Sequence, residues 1–202
     1  PLAQFINHRI SRQPRFPIQF KEMYRLSSFT YPLCWALFFF SGSQVSNAAS
    51  IQLNTGKEYA VGPSLEHLVD ANASLTIESL LSSPPYFQPP SGEVPSFGFT
   101  GDTYWFRVNI TTNPSIPESW VLSHRWPATH RMDVFWVEDG QVTQRYTVGN
   151  HVPFSERPIP HRFFLSPLSI KPGTSGTLYL RIQSANGVQA PIWISPRSDF
   201  FQ

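Results

Sequence analysis

The sequence predicts an all-β domain, an antiparallel β-sandwich with one short helix, and three observations carry that prediction. Aromatic residues make up 15% of the 202 residues, there are 20 prolines, and only 14% of residues are charged. Aromatic and β-branched side chains favour pleated, half-buried surfaces, and proline favours the loops between them. The run YWFRVNI at 104–110 alternates strictly, with Tyr104, Phe106, Val108 and Ile110 on one face and Trp105, Arg107 and Asn109 on the other. Further strand-like runs follow at close spacing with no helical pattern between them, which favours antiparallel pairing over a parallel sheet.

Residues 1–22 mix Arg, Gln and Pro without periodicity and form a leader of no assigned function. Residues 23–48 read as a signal peptide: Met23-Tyr24-Arg25, the apolar run YPLCWALFFF, then small residues up to a cleavage site after Ala48. The apolar run is well short of the roughly 20 residues that a spanning helix needs, and it contains Pro32. The chain is therefore expected to be exported, with residues 49–202 as one mature domain. Cys34, the only cysteine, falls in the removed segment, which leaves the mature domain without thiol chemistry or a disulfide. A formal charge of +2 argues for neither nucleic acid nor an anionic membrane surface as partner.

Within the domain, 51–53 is a short strand and 58–69 supplies another around Tyr59 and Val61. Residues 75–81 predict the helix, capped by Thr76 or Ser74, with Glu78 near its positive end and Pro84-Pro85 stopping it. The Pro- and Ser-rich stretch 82–96 reads as a surface loop. After the 104–110 strand come strands starting at Trp120 and at Met132, and Glu138-Asp139-Gly140 forms a hairpin turn into 142–148. Gly149-Asn150 can take a tight turn, and Pro153, Pro158 and Pro160 stiffen the loop that carries Arg157, His161 and Arg162. Strands at 163–165, 177–183 and 191–195 complete the series.

Three groups of residues are candidates for ligand contact. Trp105, Arg107 and Asn109 combine an aromatic face with planar hydrogen-bonding groups, the makeup of a sugar site, although Trp105 in a packed layer and Arg107 in a cross-strand pair would look the same in sequence. Arg157, His161 and Arg162 offer charge-assisted donors to an anion, or tie their own loop to backbone carbonyls. Trp126 lies in the loop HRWPATH with His124, Arg125 and His130, a rigidly framed loop of the kind that often carries function. The histidine spacing fits no closed zinc site, and acids at Asp102 or Asp139 are more simply read as turn residues than as calcium ligands. No paired catalytic carboxylates, nucleophile elbow or phosphate-binding glycine loop is present, so the sequence predicts no enzyme activity and no cofactor.

The phrases GDTYWFRVNIT, DVFWVEDG, TVGNHVPFSERPIPHRFFLSPL, KPGTSGTLYLRIQS and PIWI, in that order, resemble the periplasmic sensor domain of bacterial seven-transmembrane receptors with diverse intracellular signalling modules, the second of the two extracellular types. The resemblance implies a jelly-roll β-sandwich similar to carbohydrate-binding modules and a carbohydrate or other small-molecule ligand. It also implies seven membrane helices and a cytoplasmic output, such as a diguanylate cyclase or histidine kinase, in the same polypeptide. A secreted carbohydrate-binding module without a signalling role is the competing expectation, and a homodimer is a further possible partner state.

Overall fold

The computed structural model describes residues 50–55 and 58–201; the leader, the signal peptide and Cys34 lie outside them. In chain order the elements are β1 (Ser50–Leu53), β2 (Tyr59–Ala60), β3 (Glu66–Asp70), α1 (Ile77–Ser82), β4 (Ser96–Gly98), β5 (Thr103–Thr112), β6 (Ser119–His124), β7 (Arg131–Glu138), β8 (Gln141–Val148), β9 (Phe164–Ser169), β10 (Ser175–Gln183), β11 (Val188–Gln189), β12 (Ile192–Pro196) and α2 (Arg197–Phe200). Single 3-10 turns occupy Gly62–Ser64 and Phe154–Glu156.

One sheet runs β1-β5-β10-β7-β8, with β3 also paired to β5; a second runs β2-β12-β6-β9; β4 and β11 form a small ribbon. Strand β10 occupies one edge of β5 along its length, so β3 and β1 divide the other edge, β3 against Thr103 to Arg107 and β1 against Asn109 to Thr112. All pairs are antiparallel except β1 with β5. That exception is possible because β2, β3, α1 and β4 lie between β1 and β5 in the chain, which supplies the long connection that a parallel pair needs.

The main core lies between the sheets. Tyr104, Phe106, Val108 and Ile110 face it as the alternation predicts, meeting Trp120, Leu122, Phe164, Ile192 and Ile194 of the second sheet. Burying each such side chain contributes about 1.5–3 kcal/mol. The opposite face of the first sheet is covered as well: Ile77 and Leu80 of α1, together with Phe87, pack on Trp105, Phe135, Val137 and Tyr179. The domain is thus a sandwich with a third partial layer, and only the middle of that outer face is covered.

Local chemistry explains the main turns. Asp139 (φ 49°) and Gly140 (φ 72°) both sit in the left-handed region, the geometry that matches a two-residue hairpin to the twist of β7 and β8. Thr76 caps α1 through a reciprocal bond pair with Ser79, and the buried Asp70 accepts from the amides of Ser74 and Leu75 at 3.0 and 2.9 Å, fixing the entry to the helix.

One local expectation is corrected. Residues 58–69 do not form one strand, because the turn at Gly62–Ser64, with its proline, breaks them into β2 and β3 on different sheets. The 82–96 stretch is largely the surface loop expected, anchored to the sheet by the buried Phe87 and by a bridge from Gln88 to His67.

Candidate functional site

Alternation along β10 aims Ser175, Thr177, Tyr179, Arg181 and Gln183 at the outer face of the first sheet, opposite Thr111, Asn109, Arg107, Trp105 and Thr103 of β5. The helix and Phe87 cover the middle of this row, so Trp105 is 1% exposed and stacks on Phe135 with ring centroids 5.7 Å apart. Trp105 is on the predicted face but is not displayed to solvent. Arg107 is likewise committed: its Nε donates to Glu66 at 2.6 Å in a largely buried pair, and its guanidinium lies 4.3 Å from the Phe87 ring centre. Burial raises the Tyr179 pKa, with Arg107 beside it pulling the other way.

Asn109 is the member of that triplet that reaches an open cleft. A cavity of about 500 Å³ at this end of the sheet is lined by Asn109, Thr111, Ser175, Thr177 and Tyr179, with Leu81 of α1 and the Asp139-Gly140 turn completing it. The Thr177 hydroxyl donates to Asn109 Oδ1 at 2.8 Å, which fixes the amide orientation and leaves its NH₂ group for another acceptor. Asp139 is the sole ionisable acid or base in this lining apart from the phenol of Tyr179.

The other end of the row has a different character. A cavity of about 410 Å³ is lined by Gly101, His130, Arg131, His151, Val152, Gln183, Ser184 and Ala185. The β7–β8 hairpin brings its flanking loops together here, and the rings of His130 and His151 stack with centroids 4.2 Å apart and an interplanar angle of 12°. Asp133, 7% exposed, accepts from Arg131 and from the Thr147 hydroxyl at 2.7 Å, and lies 3.5 Å from Arg181.

The remaining predicted residues lie elsewhere. Arg157 donates to the carbonyls of His161 (3.2 Å) and Gly149 (3.5 Å) and sits over Phe164, so its observed role is to brace the proline-rich loop. His161 accepts from its neighbour Phe163 N–H at 3.0 Å, and burial, then the adjacent Arg162 charge, lowers its pKa. Arg162 is exposed, with its guanidinium over Phe163. Trp126 is half-buried and its indole N–H is enclosed without a partner. His124, in the same loop motif, is fully buried against Phe164 and bonds Thr129 at 2.7 Å, and burial pushes its pKa down to about 3. The predicted residues therefore do not converge on one site: Asn109 lines one end cleft, and His130, from the loop that carries Trp126, lines the other.

Arg131, His151 and Gln183 were not singled out in the sequence. A signal existed: pairing Met132 with Val148 around the Asp139-Gly140 turn extends to place His130 beside the Gly149 loop. Among the described residues no group of three or more His, Cys, Asp or Glu is gathered as a metal would require. No described helix is long and apolar enough to cross a membrane.

Fold and clefts define an all-β, two-sheet domain with its sheet ends open. Residues 62–195 match the 7TMR-DISM extracellular 2 family, and the chain belongs to that family. The family comprises extracellular domains of membrane receptors that carry intracellular modules, a periplasmic sensor role. No curated protein matches the chain by sequence. Among solved structures, Ruminococcus gnavus β-glucuronidase is similar at 12% identity and a TM-score of 0.42, over 73% of this chain and 30% of that one. A Bacteroides fragilis protein assigned as a β-galactosidase is similar at 10% identity and a TM-score of 0.43, over 68% of this chain and 23% of that one. This chain thus spans less than a third of either protein.

Proposed function

We propose that residues 49–202 are the ligand-sensing input domain of a periplasm-facing receptor, and that the ligand is a carbohydrate or comparable polyhydroxylated small molecule held at the Asn109 end of the first sheet. The observation that supports this reading is the Asn109–Thr177 pair in a cleft of about 500 Å³ whose other polar side chains are the hydroxyls of Ser50, Thr111, Ser175 and Tyr179 and the carboxylate of Asp139. A fixed amide NH₂ and a carboxylate can meet the donors and acceptors of vicinal hydroxyls, while Leu81 and Tyr179 provide an apolar wall. Membrane helices and a cytoplasmic output in the same polypeptide would read the occupied state. Signalling requires the ligand to favour one arrangement of the domain relative to those helices.

The test is thermal denaturation and calorimetric titration with a panel of neutral mono- and disaccharides. One or more should raise the melting temperature, and Asn109→Ala and Thr177→Val should each abolish the shift. A panel with no effect, or a shift that survives both substitutions, would overturn the reading.

A further inference from the structure

The cleft at the opposite end of the sheet is built for a different ligand. We propose that it is a second binding site, for a small carboxylate, centred on Arg131 and His151. Its lining holds one guanidinium, two imidazoles, the Gln183 amide and the Ser184 hydroxyl, and no carboxylate. The Arg131 side chain is half-exposed, with 52% of its surface open. Its Nε and Nη2 are spent on Asp133 at 3.1 and 2.9 Å, so that carboxylate fixes the plane of the fork. The remaining edge, Nη1 with the second hydrogen of Nη2, is left to take two oxygens side by side, the geometry of a carboxylate.

Charge at this end favours the same ligand. Asp133 serves both Arg131 and Arg181, so one acid faces two permanent cations. Two further acids lie around the cleft without lining it: Asp102, next to Gly101 of the lining, accepts from the Thr100 hydroxyl at 3.0 Å, and Glu156 lines the adjoining outer groove of about 510 Å³, which shares Arg131, His151 and Val152 with the inner cleft.

Of the two histidines, one is a platform and the other a donor. The Ala185 amide donates to His130 Nδ1 at 3.3 Å, which places the proton of the neutral ring on Nε2. Asn186 Nδ2 lies 2.7 Å from Nε2, and with the amide turned over its oxygen accepts from Nε2–H. His130 is thereby held as a fixed platform, and His151 stacks on it, exposed, with no side-chain hydrogen bond among the described residues. Its N–H is free to join Arg131 on the same anion.

The test is titration of the full chain with citrate, with inorganic phosphate, and with sodium chloride at matched ionic strength. Citrate should bind with measurable heat and raise the melting temperature beyond chloride, and phosphate should bind more weakly. Arg131→Gln should weaken citrate about tenfold or more, the loss expected of a charge-assisted pair. His151→Gln, at an exposed ring that leaves the fold intact, should weaken it several-fold. Both variants should keep the saccharide response of the Asn109 cleft. Citrate no better than chloride, affinity unchanged in both variants, or phosphate binding tighter than citrate would each overturn the assignment.

Discussion

Trp105 and Phe135 stack on the outer face of the first sheet, 5.7 Å apart, beneath α1. An aromatic displayed for a ligand could be truncated at little cost to stability. This pair is instead the floor of a hydrophobic layer, and Trp105→Ala should cost about 3–5 kcal/mol, the range for emptying a large buried aromatic site. Urea denaturation measures the loss, and a cost below about 1 kcal/mol would show that the layer is not packed.

Beside that layer, Arg107 and Glu66 form an ion pair with side-chain exposures of 13% and 6%. Removing one partner leaves a buried charge unpaired, so Arg107→Met or Glu66→Leu alone should destabilise by about 3 kcal/mol or more. The double variant should recover much of that loss, because the outer layer around Phe87 and Tyr179 is apolar. A double-mutant cycle in denaturant reads the coupling, and strict additivity would show that the pair does not act as a unit.

The same strand shows what the sequence could reveal and what it could not. Alternation in β5 placed each side chain on the correct face, because period two follows from backbone geometry alone. Whether a face is covered is not written in that strand: the cover comes from Ile77, Leu80 and Phe87, residues distant in sequence. Strand β3 was obscured for a related reason. It buries Glu66 and Asp70 on the outer face, spent on Arg107 and on the amides before α1, so its buried positions look polar. The hairpin at Asp139-Gly140 was legible from turn chemistry, but the meeting of His130 with His151 needed the register as well.

His124 makes stability depend on pH. Its folded-state pKa is pushed down to about 3 by full burial, whereas the unfolded side chain has the ordinary value of 6.5. Between those values the unfolded chain binds a proton that the folded chain refuses, so stability is fully present above pH 6.5 and falls as pH drops towards 3. This one group contributes a slope approaching ~1.4 kcal/mol per pH unit within that window. Denaturation midpoints from pH 7 to pH 4 should fall in the wild type and fall less steeply in His124→Gln. Equal slopes would exclude His124 as the source.

Gly149 has φ +138°, and a Cβ placed there would lie 2.3 Å from the carbonyl oxygen of His130. Contact with a backbone atom cannot be relieved by a rotamer change, so the loop itself would have to move. That carbonyl accepts from the His151 amide at 3.1 Å, and the Gly149 carbonyl accepts from Arg157 at 3.5 Å, so the movement would disturb the histidine stack and the proline-rich loop together. Gly149→Ala should therefore cost several kcal/mol and weaken citrate at the Arg131 cleft, a loss of backbone compatibility rather than of a contact. Gly140→Ala is the matched control: its φ is +72° but nothing lies within 4 Å of the added Cβ, so only the left-handed strain of about 1–2 kcal/mol is expected, with ligand affinity at that cleft unchanged. Equal losses in the two variants would show that the close approach at His130 is not what requires glycine.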